Sequence, residues 1–430
     1  MTETVPTETV PAAQPTDWAS ARALVHTAGL AAVPPPVPVP LAEADGHTLG
    51  APLVTLTALP PFPTSSVDGW AVRGAGPWRP VGRVLAGGTP APMTEDGTAV
   101  EIATGAMVPA GAAAVIRVEE TGRTGDGLVT GVPREHREWR VPGEEAAGGE
   151  ELLPAGTPVT PGVIGLAASC GYDQLPVRRG PGAALLIFGD ELLTRGAPGG
   201  GRVRDALGPQ VPGWLRRLGA AGTIPVVGPV EDTLDAHVTA LHTALDGGAE
   251  LVCTTGGTMH GPVDHLHPAL AEVGARYLVN TVAVRPGFPM LLAAVPGPDG
   301  RDRFVAGLPG NPQSAVIALV SLVAPLLAGL HGRPLPALPT VTLAAPLPGR
   351  GNQTHLALVR VDAEGLAHPL GHAGSAMLRG LAQATGFAVI APGTVGSPGD
   401  RVPLVPLPAL TTEVLDGAAK LAADGAGGRP

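Results

Sequence analysis

The sequence predicts an α/β chain of several modules, with a central doubly wound βαβ domain and two smaller flanking β-rich domains. Three observations predict it. Between about 181 and 333, short apolar runs alternate with longer helix-like stretches, the pattern of a mostly parallel sheet with right-handed crossovers. On either side, short β-like runs are broken every few residues by Gly or Pro. The length, 430 residues, suits two to four domains with a sizeable core.

Taken in order, residues 1–15 are expected to be a flexible leader. A helix is expected in DWASARALVHTAGL, starting at Asp17 and ending at Gly29. VPPPVPVPL, from Val33 to Leu41, is extended and stiffened by proline. The runs GWAV, VGRVLA, TAVEIAT and AAAVIRVEE make 52–139 a β-rich module, and a short helix is expected over Pro161–Cys170. The strand candidates of the central domain, 181–333, are AALLIF, GTIPVV, ELVCT and RFVAGL, with helices at 209–219, 232–246, 262–274 and 312–330. TVTLAAPL, THLALVRV and RVPLVPL form a second β-rich module over 334–410, and 411–430 is expected to be a flexible tail. The chain has no internal repeat.

Composition narrows the chemistry. The chain is 44% hydrophobic with a mean hydropathy of +0.24, which is globular rather than disordered. Its net charge is −10, and only 15% of residues are charged, so no basic face for nucleic acid is evident. Two cysteines, Cys170 and Cys253, without a CxxC fit a reducing cytoplasm and argue against a disulfide framework or structural zinc. Lys420 is the only lysine; a phosphate-binding Gly-Lys-Ser/Thr loop and a Schiff-base lysine are thereby excluded. The acidic, polar N-terminus is not a signal-peptide pattern. Ser314–Leu330 is uncharged but only 17 residues long, shorter than the ~20 a membrane span needs. A buried helix in a cytoplasmic protein is expected.

In an open α/β sheet, ligands gather where strands end. Four strand ends here are polar: Asp190 and Glu191 after AALLIF; Thr254, Thr255, Gly256 and Gly257 with Asp264 at the end of ELVCT; Arg285, Pro286 and Gly287 after a further strand candidate, LVNTVAV; and Gly310, Asn311 and Ser314 after RFVAGL. Asn311 is a good N-cap with Pro312 at the first helical position, so the helix would aim free N–H groups out of the sheet, an anion site. A plain cap explains the same residues, and a tight turn explains Thr-Thr-Gly-Gly. Several such turns on one edge, beside Glu191 and Asp264, favour a phosphorylated ligand bridged by a divalent cation, with Mg²⁺ suited to oxygen ligands. A rival reading makes His260, Asp264, His265 and His267 a transition-metal cluster, although residues two apart face different sides of a helix. Asp68 in TSSVDGWAV reads most simply as an Asp-Gly hairpin turn. Thr104 sits at a strand end, and Ser375 in HAGSAML reads more simply as a helix cap than as a nucleophile.

Together, SSVDGWAVR, ATGAMVPAGAAAVIRVEET, GEEAAGGEELLPAG, FGDEL, TTGGTMHGPVDH, RPGFP, GLPGNPQSA and HAGSAML resemble, in order, the molybdopterin molybdenumtransferases, a family that includes the C-terminal part of gephyrin. The resemblance spans roughly 17–408. It implies an elongated, multidomain homodimer in which 16–51 and 140–180 form a discontinuous linker and dimerisation domain. In that arrangement 52–139 reaches the partner's site, and 181–333 is the molybdopterin-binding domain. The implied reaction inserts molybdate into the dithiolene of adenylylated molybdopterin, with Mg²⁺, releasing AMP; the molybdopterin adenylyltransferase becomes a possible contact. Asp68, Thr104, Glu145, Glu191, Asp264 and Ser375 match the family's catalytic positions, with Glu191 and Asp264 as metal ligands. Asp205 joins the strand-end residues as substrate-binding.

The chain departs from the family at Trp70, Glu145, Phe188, Ala206, Leu207, Thr258, Met259 and Phe288. Phe288 removes a usual lysine, and one charge-assisted contact is worth about 1.5–3 kcal/mol, so anion binding is expected to weaken tenfold or more. Two alternatives follow: a non-catalytic paralogue that binds molybdopterin or a partner protein, and a metal-dependent nucleotide phosphohydrolase.

Overall fold

The computed structural model describes residues 14–259 and 264–408. These fall into two compact units, Met1–Pro35 with Arg178–Pro430, and Pro36–Val177. Most of the expected leader and all of the expected 411–430 tail lie outside the described residues.

The first unit opens with helix α1 (Trp18–Ala31), and Asp17 caps it by accepting the Ser20 N–H at 3.0 Å. It continues past Gly29, the expected stop, because Gly29 is a packing residue. A Cβ there would lie 2.5 Å from the Leu326 carbonyl oxygen, and one on Gly329 would lie 2.4 Å from that of His26. Two glycines thus let α1 and a later helix touch backbone to backbone. The segment 16–51 is accordingly divided, with α1 packed in this unit and Val37–Pro40 paired with Gln174–Arg178 in the other.

The central domain follows as β1 (Ala183–Phe188), α2 (Leu207–Arg217), β2 (Val226–Val230), α3 (Leu234–Asp246), β3 (Leu251–Thr255), α4 (Leu266–Glu272), β4 (Arg276–Asn280), β5 (Leu291–Pro296), β6 (Asp302–Leu308) and α5 (Pro312–Leu330). The sheet order is β2-β1-β3-β6-β5-β4, parallel except at β5. All six residues of β1 are buried, and their alternation feeds two cores. Leu185 and Ile187 face the cluster that includes Leu326 of α5, whereas Ala184, Leu186 and Phe188 face that of α3 and α4. Helix α5, of mean hydropathy 2.0, is long and apolar enough to cross a membrane but packs within this core. Its ladder loosens into a π turn at Leu319–Val323, ahead of Pro325, which has no N–H to give. Ser321 in that turn accepts the Trp18 indole N–H at 2.9 Å.

Two expectations fail here. Strand β5 was not expected: LLAAVP has no helix before it and reaches β6 through a tight turn, in which Gly297 donates to the Arg301 carbonyl at 2.9 Å. LVNTVAV is not one strand. β4 ends at Asn280, the chain turns at Thr281 (φ 96°), and Val284–Arg285 pairs instead with Thr354–His355. Those residues belong to a closed barrel in the order Thr354–Val361, Leu366–Pro369, Thr340–Leu343, Arg401–Pro406, Gly386–Ile390 and back to the first. Val341, Leu343, Val359, Ala388 and Ile390 fill it.

The second unit holds a four-stranded sheet, in the order Arg79–Val84, Thr98–Ile102, Gly69–Arg73, Ala114–Arg117. Short pairs connect this sheet to the three strands Val37–Pro40, Gln174–Arg178 and Thr48–Leu49 and to the helix Pro161–Ser169. Gly69 opens a central strand rather than the expected hairpin turn. A Cβ there would lie 1.9 Å from the Ile116 carbonyl oxygen, so only glycine lets the strands close.

Candidate active site

The carboxyl ends of β1, β3 and β6 and the start of α5 surround a cleft of about 590 Å³. Glu191, Thr255, Gly256, Gly257, Asp264, Gly310 and Asn311 line it, together with Asp205. Gly189 puts Glu191 there: its φ of 139° turns the chain, and a Cβ would meet the Glu191 carboxylate at 2.7 Å. Glu191 and Asp264, in separate motifs 73 positions apart, are thus brought to one cleft.

Several expected binding groups have other employment. Asp190 turns away, exchanging hydrogen bonds with Asp232 through each backbone N–H (3.2 and 3.4 Å). Asp205 caps the start of α2, accepting from Leu207 N–H at 2.8 Å and Gly208 N–H at 3.0 Å. Ala206 and Leu207 therefore stand in a capping turn. The Gly256 N–H donates to the Leu308 carbonyl at 3.0 Å, which removes it as a phosphate donor. Thr254 is fully buried, with its hydroxyl unpartnered among the described residues, and does not line the cleft. Thr258 does line it.

Phe188, one of the departures from the family pattern, stacks its ring on His237 of α3 at 3.7 Å, and His237 meets His265 edge-on at 5.7 Å. Burial pushes the His237 pKa down, so this imidazole is neutral. On β3, burial pushes the Cys253 thiol up to about 12 and leaves it inert.

The start of α5 corrects the expected anion site. Asn311 holds the cap position, but its side chain makes no cap bond. The N–H groups of Gln313 and Ser314 both donate to the carbonyl of Ser375, at 2.9 and 3.2 Å. Ser375 is thus a cap through its backbone, and for a distant helix.

A second cavity of about 900 Å³ adjoins the first, sharing Met259, Pro289, Pro309 and Asn311. It is cationic, lined by Arg285 and Arg350 with Gln353, His355, Ser314 and Ser375. Pro286, Gly287 and Phe288 also line it. Arg285 is held twice, by Gln353 (Nε to Oε1, 2.7 Å) and over the Phe288 ring at 5.3 Å. Phe288 therefore removes one cation and props another, and Arg350, which the sequence reading missed, supplies a further charge. Its signal was position alone, in a Pro-Gly-Arg-Gly turn before Thr354–Val361.

In the second unit, Asp68 and Thr104 meet: the Asp68 carboxylate accepts the Thr104 N–H at 2.8 Å. Asp68 lines a cavity of about 630 Å³ with Trp70, Arg83, Glu101 and Arg123, whose guanidinium lies 5.1 Å from the Trp70 ring. Glu145 does not line it; its N–H donates to the Leu59 carbonyl at 2.9 Å.

No three His, Cys, Asp or Glu side chains gather as metal ligands among the described residues. His267 bonds the Tyr277 hydroxyl at 2.6 Å and His260 lies outside the described residues, so the transition-metal cluster finds no support.

A parallel-stranded domain with this acidic cleft at its strand ends, followed by a closed β-barrel, defines a multidomain α/β chain with a ligand cleft, and comparison with known proteins gives its class. Family models match over 16–171 (the MoeA N-terminal region, domains I and II), 184–329 ("Probable molybdopterin binding domain") and 340–407 (the MoeA C-terminal region, domain IV). The chain is 32% identical over 381 residues to molybdopterin molybdenumtransferase 2 of Mycobacterium tuberculosis, covering 82% of this chain and 90% of that one. It is 31% identical over 303 residues to a molybdopterin molybdenumtransferase of Synechococcus elongatus, covering 67% and 74%. In fold it is similar to the molybdopterin biosynthesis MoeA protein of Pyrococcus horikoshii, with a TM-score of 0.75, 24% identity, and 92% and 100% coverage. The chain belongs to the molybdopterin molybdenumtransferase family.

Proposed function

We propose that this transferase acts in molybdenum cofactor biosynthesis, inserting molybdate into the dithiolene of adenylylated molybdopterin with release of AMP. One observation carries the reading: an acidic cleft at glycine turns adjoins a cavity lined by two arginines and two serines. Molybdate, a tetrahedral oxyanion and here a substrate, suits Arg285, Arg350, Ser314 and Ser375, since guanidinium forks and hydroxyls donate to oxyanion edges. The phosphate of the nucleotide suits the Thr255 hydroxyl and the Gly257 backbone, at the turn where Gly256, its N–H already bonded, packs against Gly310.

Carboxylates beside phosphate repel it unless a cation intervenes. Glu191 and Asp264 offer hard oxygen donors in the numbers Mg²⁺ takes when phosphate and water complete its shell, so the residues fit that ion. When bound, Mg²⁺ would neutralise charge building on the phosphate oxygens. The chain's own part is to orient: Asn311 faces both cavities and the arginines hold the oxyanion. Asp68 and Thr104, in a cytoplasmic homodimer, would serve the partner subunit's reaction. The adenylyltransferase that makes the nucleotide substrate is the natural donor.

Purified protein incubated with adenylylated molybdopterin, Mg²⁺ and molybdate should release AMP only when molybdate is present and should reconstitute a molybdenum-free apoenzyme. Release without molybdate would make the protein a phosphohydrolase. Tight binding without release would make it a carrier.

A further inference from the structure

We propose that Gln313 is a positioning residue that latches a loop of the C-terminal barrel onto α5 and so sets the wall between the two cavities. This rests on the proposed use of those cavities for the oxyanion and the nucleotide phosphate.

The wall is a short piece of chain. Ala373, Gly374 and Ser375 line the arginine cavity, and the next residue, Ala376, lines the acidic cleft. This segment thus runs from one cavity to the other, beside the residues the two share. Its base is self-contained: the Met377 N–H donates to Gly374 at 2.8 Å, and Gly380 packs so closely that a Cβ would lie 2.6 Å from the Gly371 carbonyl oxygen. Ala373 and Leu378 add apolar contact with the core.

Three hydrogen bonds from two residues of α5 fix the tip. The Gln313 and Ser314 N–H groups hold the Ser375 carbonyl, as any residues at the start of a helix can. The third bond needs a side chain: the Gln313 amide Nε2 donates to the Ala373 carbonyl at 2.9 Å, across 60 residues of sequence. Gln313 is 1% exposed, and its Oε1 is buried without a partner among the described residues. A leucine or methionine would fill the same space without burying that oxygen. What neither can do is hold Ala373. The side chain is therefore a poor choice for stability and a good one for fixing where Ser375 stands.

The test compares wild type with Gln313→Leu by backbone hydrogen exchange and steady-state kinetics. Exchange in 371–380 should rise about fivefold, one hydrogen bond's worth. The KM for molybdate should rise by a similar factor, while that for adenylylated molybdopterin stays within about twofold, because three of the four wall residues face the arginine cavity. Unchanged exchange in that loop, or both KM values moving together with Tm, would overturn the latch. If Gln313→Leu does not fold, Gln313→Met, which keeps the unbranched length, carries the same test. A wild type without molybdate-dependent turnover would instead sink the functional reading, and with it the assigned purpose of the latch, even if exchange still reported the contact.

Discussion

Replacing Asp68 by asparagine and by alanine separates the two jobs its carboxylate could do. One is structural: it accepts the Thr104 N–H at 2.8 Å and so shapes the turn between two strands of the second unit. Asp68 is exposed, so water competes for that bond and its loss costs about 1 kcal/mol, the ordinary net value. For a unit of this size that lowers Tm by about 4 °C. Asparagine keeps an acceptor at the same place, so Asp68→Asn should melt within about 1 °C of wild type, while Asp68→Ala should show the whole shift. The other job is electrostatic, acting on metal, water or molybdate during transfer, and it needs the charge. Removing one electrostatic contact that strengthens in the transition state typically costs about 10²-fold in rate. Molybdate-dependent AMP release by Asp68→Asn should therefore fall by about that factor at unchanged Tm. Wild-type kcat/KM in Asp68→Asn would refute the electrostatic role. So would an Asp68→Ala defect that vanishes below its melting range.

Two further outcomes follow from the packing. Gly329→Ala puts a methyl 2.4 Å from the His26 carbonyl oxygen, and backbone cannot yield locally, so α1 must shift. Calorimetry should show a loss of about 1–3 kcal/mol, the usual range for overpacking; an unchanged Tm would mean that the helices do not meet at these glycines. His237 and His355 are both buried with lowered pKa values, burial being the first cause in each. The unfolded chain then binds protons that the folded one refuses, so stability is full above the ordinary histidine pKa of about 6.5 and falls as pH drops below it. His237→Phe should flatten that fall, read from urea midpoints between pH 7 and 5, and an unchanged slope would show that the ring titrates freely.

Much of the fold is legible in the sequence because burial leaves a periodic trace. AALLIF is buried on both faces and reads as a strand, and Asp17 and Pro312 start helices for local reasons. The cleft is legible for a related reason: strand ends, glycines and isolated carboxylates coincide there, and Glu191 and Asp264 do converge. What failed depends on contacts distant in sequence. Gly29 looks like a helix stop until Gly329 is opposite it, LVNTVAV looks like one strand until Thr354 claims its end, and Asp205 looks like a ligand although α2 uses its oxygens. The start of α5 shows the principle most plainly. Local logic makes it an open anion site, since Gly-Asn-Pro leaves N–H groups free. A carbonyl from the barrel takes two of them, and the same contact carries the Ser375 loop to the wall between the cavities. The positive end of the helix thus spends its donors on placing a loop, and the positive charge beside it comes instead from Arg285 and Arg350 and does not depend on a free helix end.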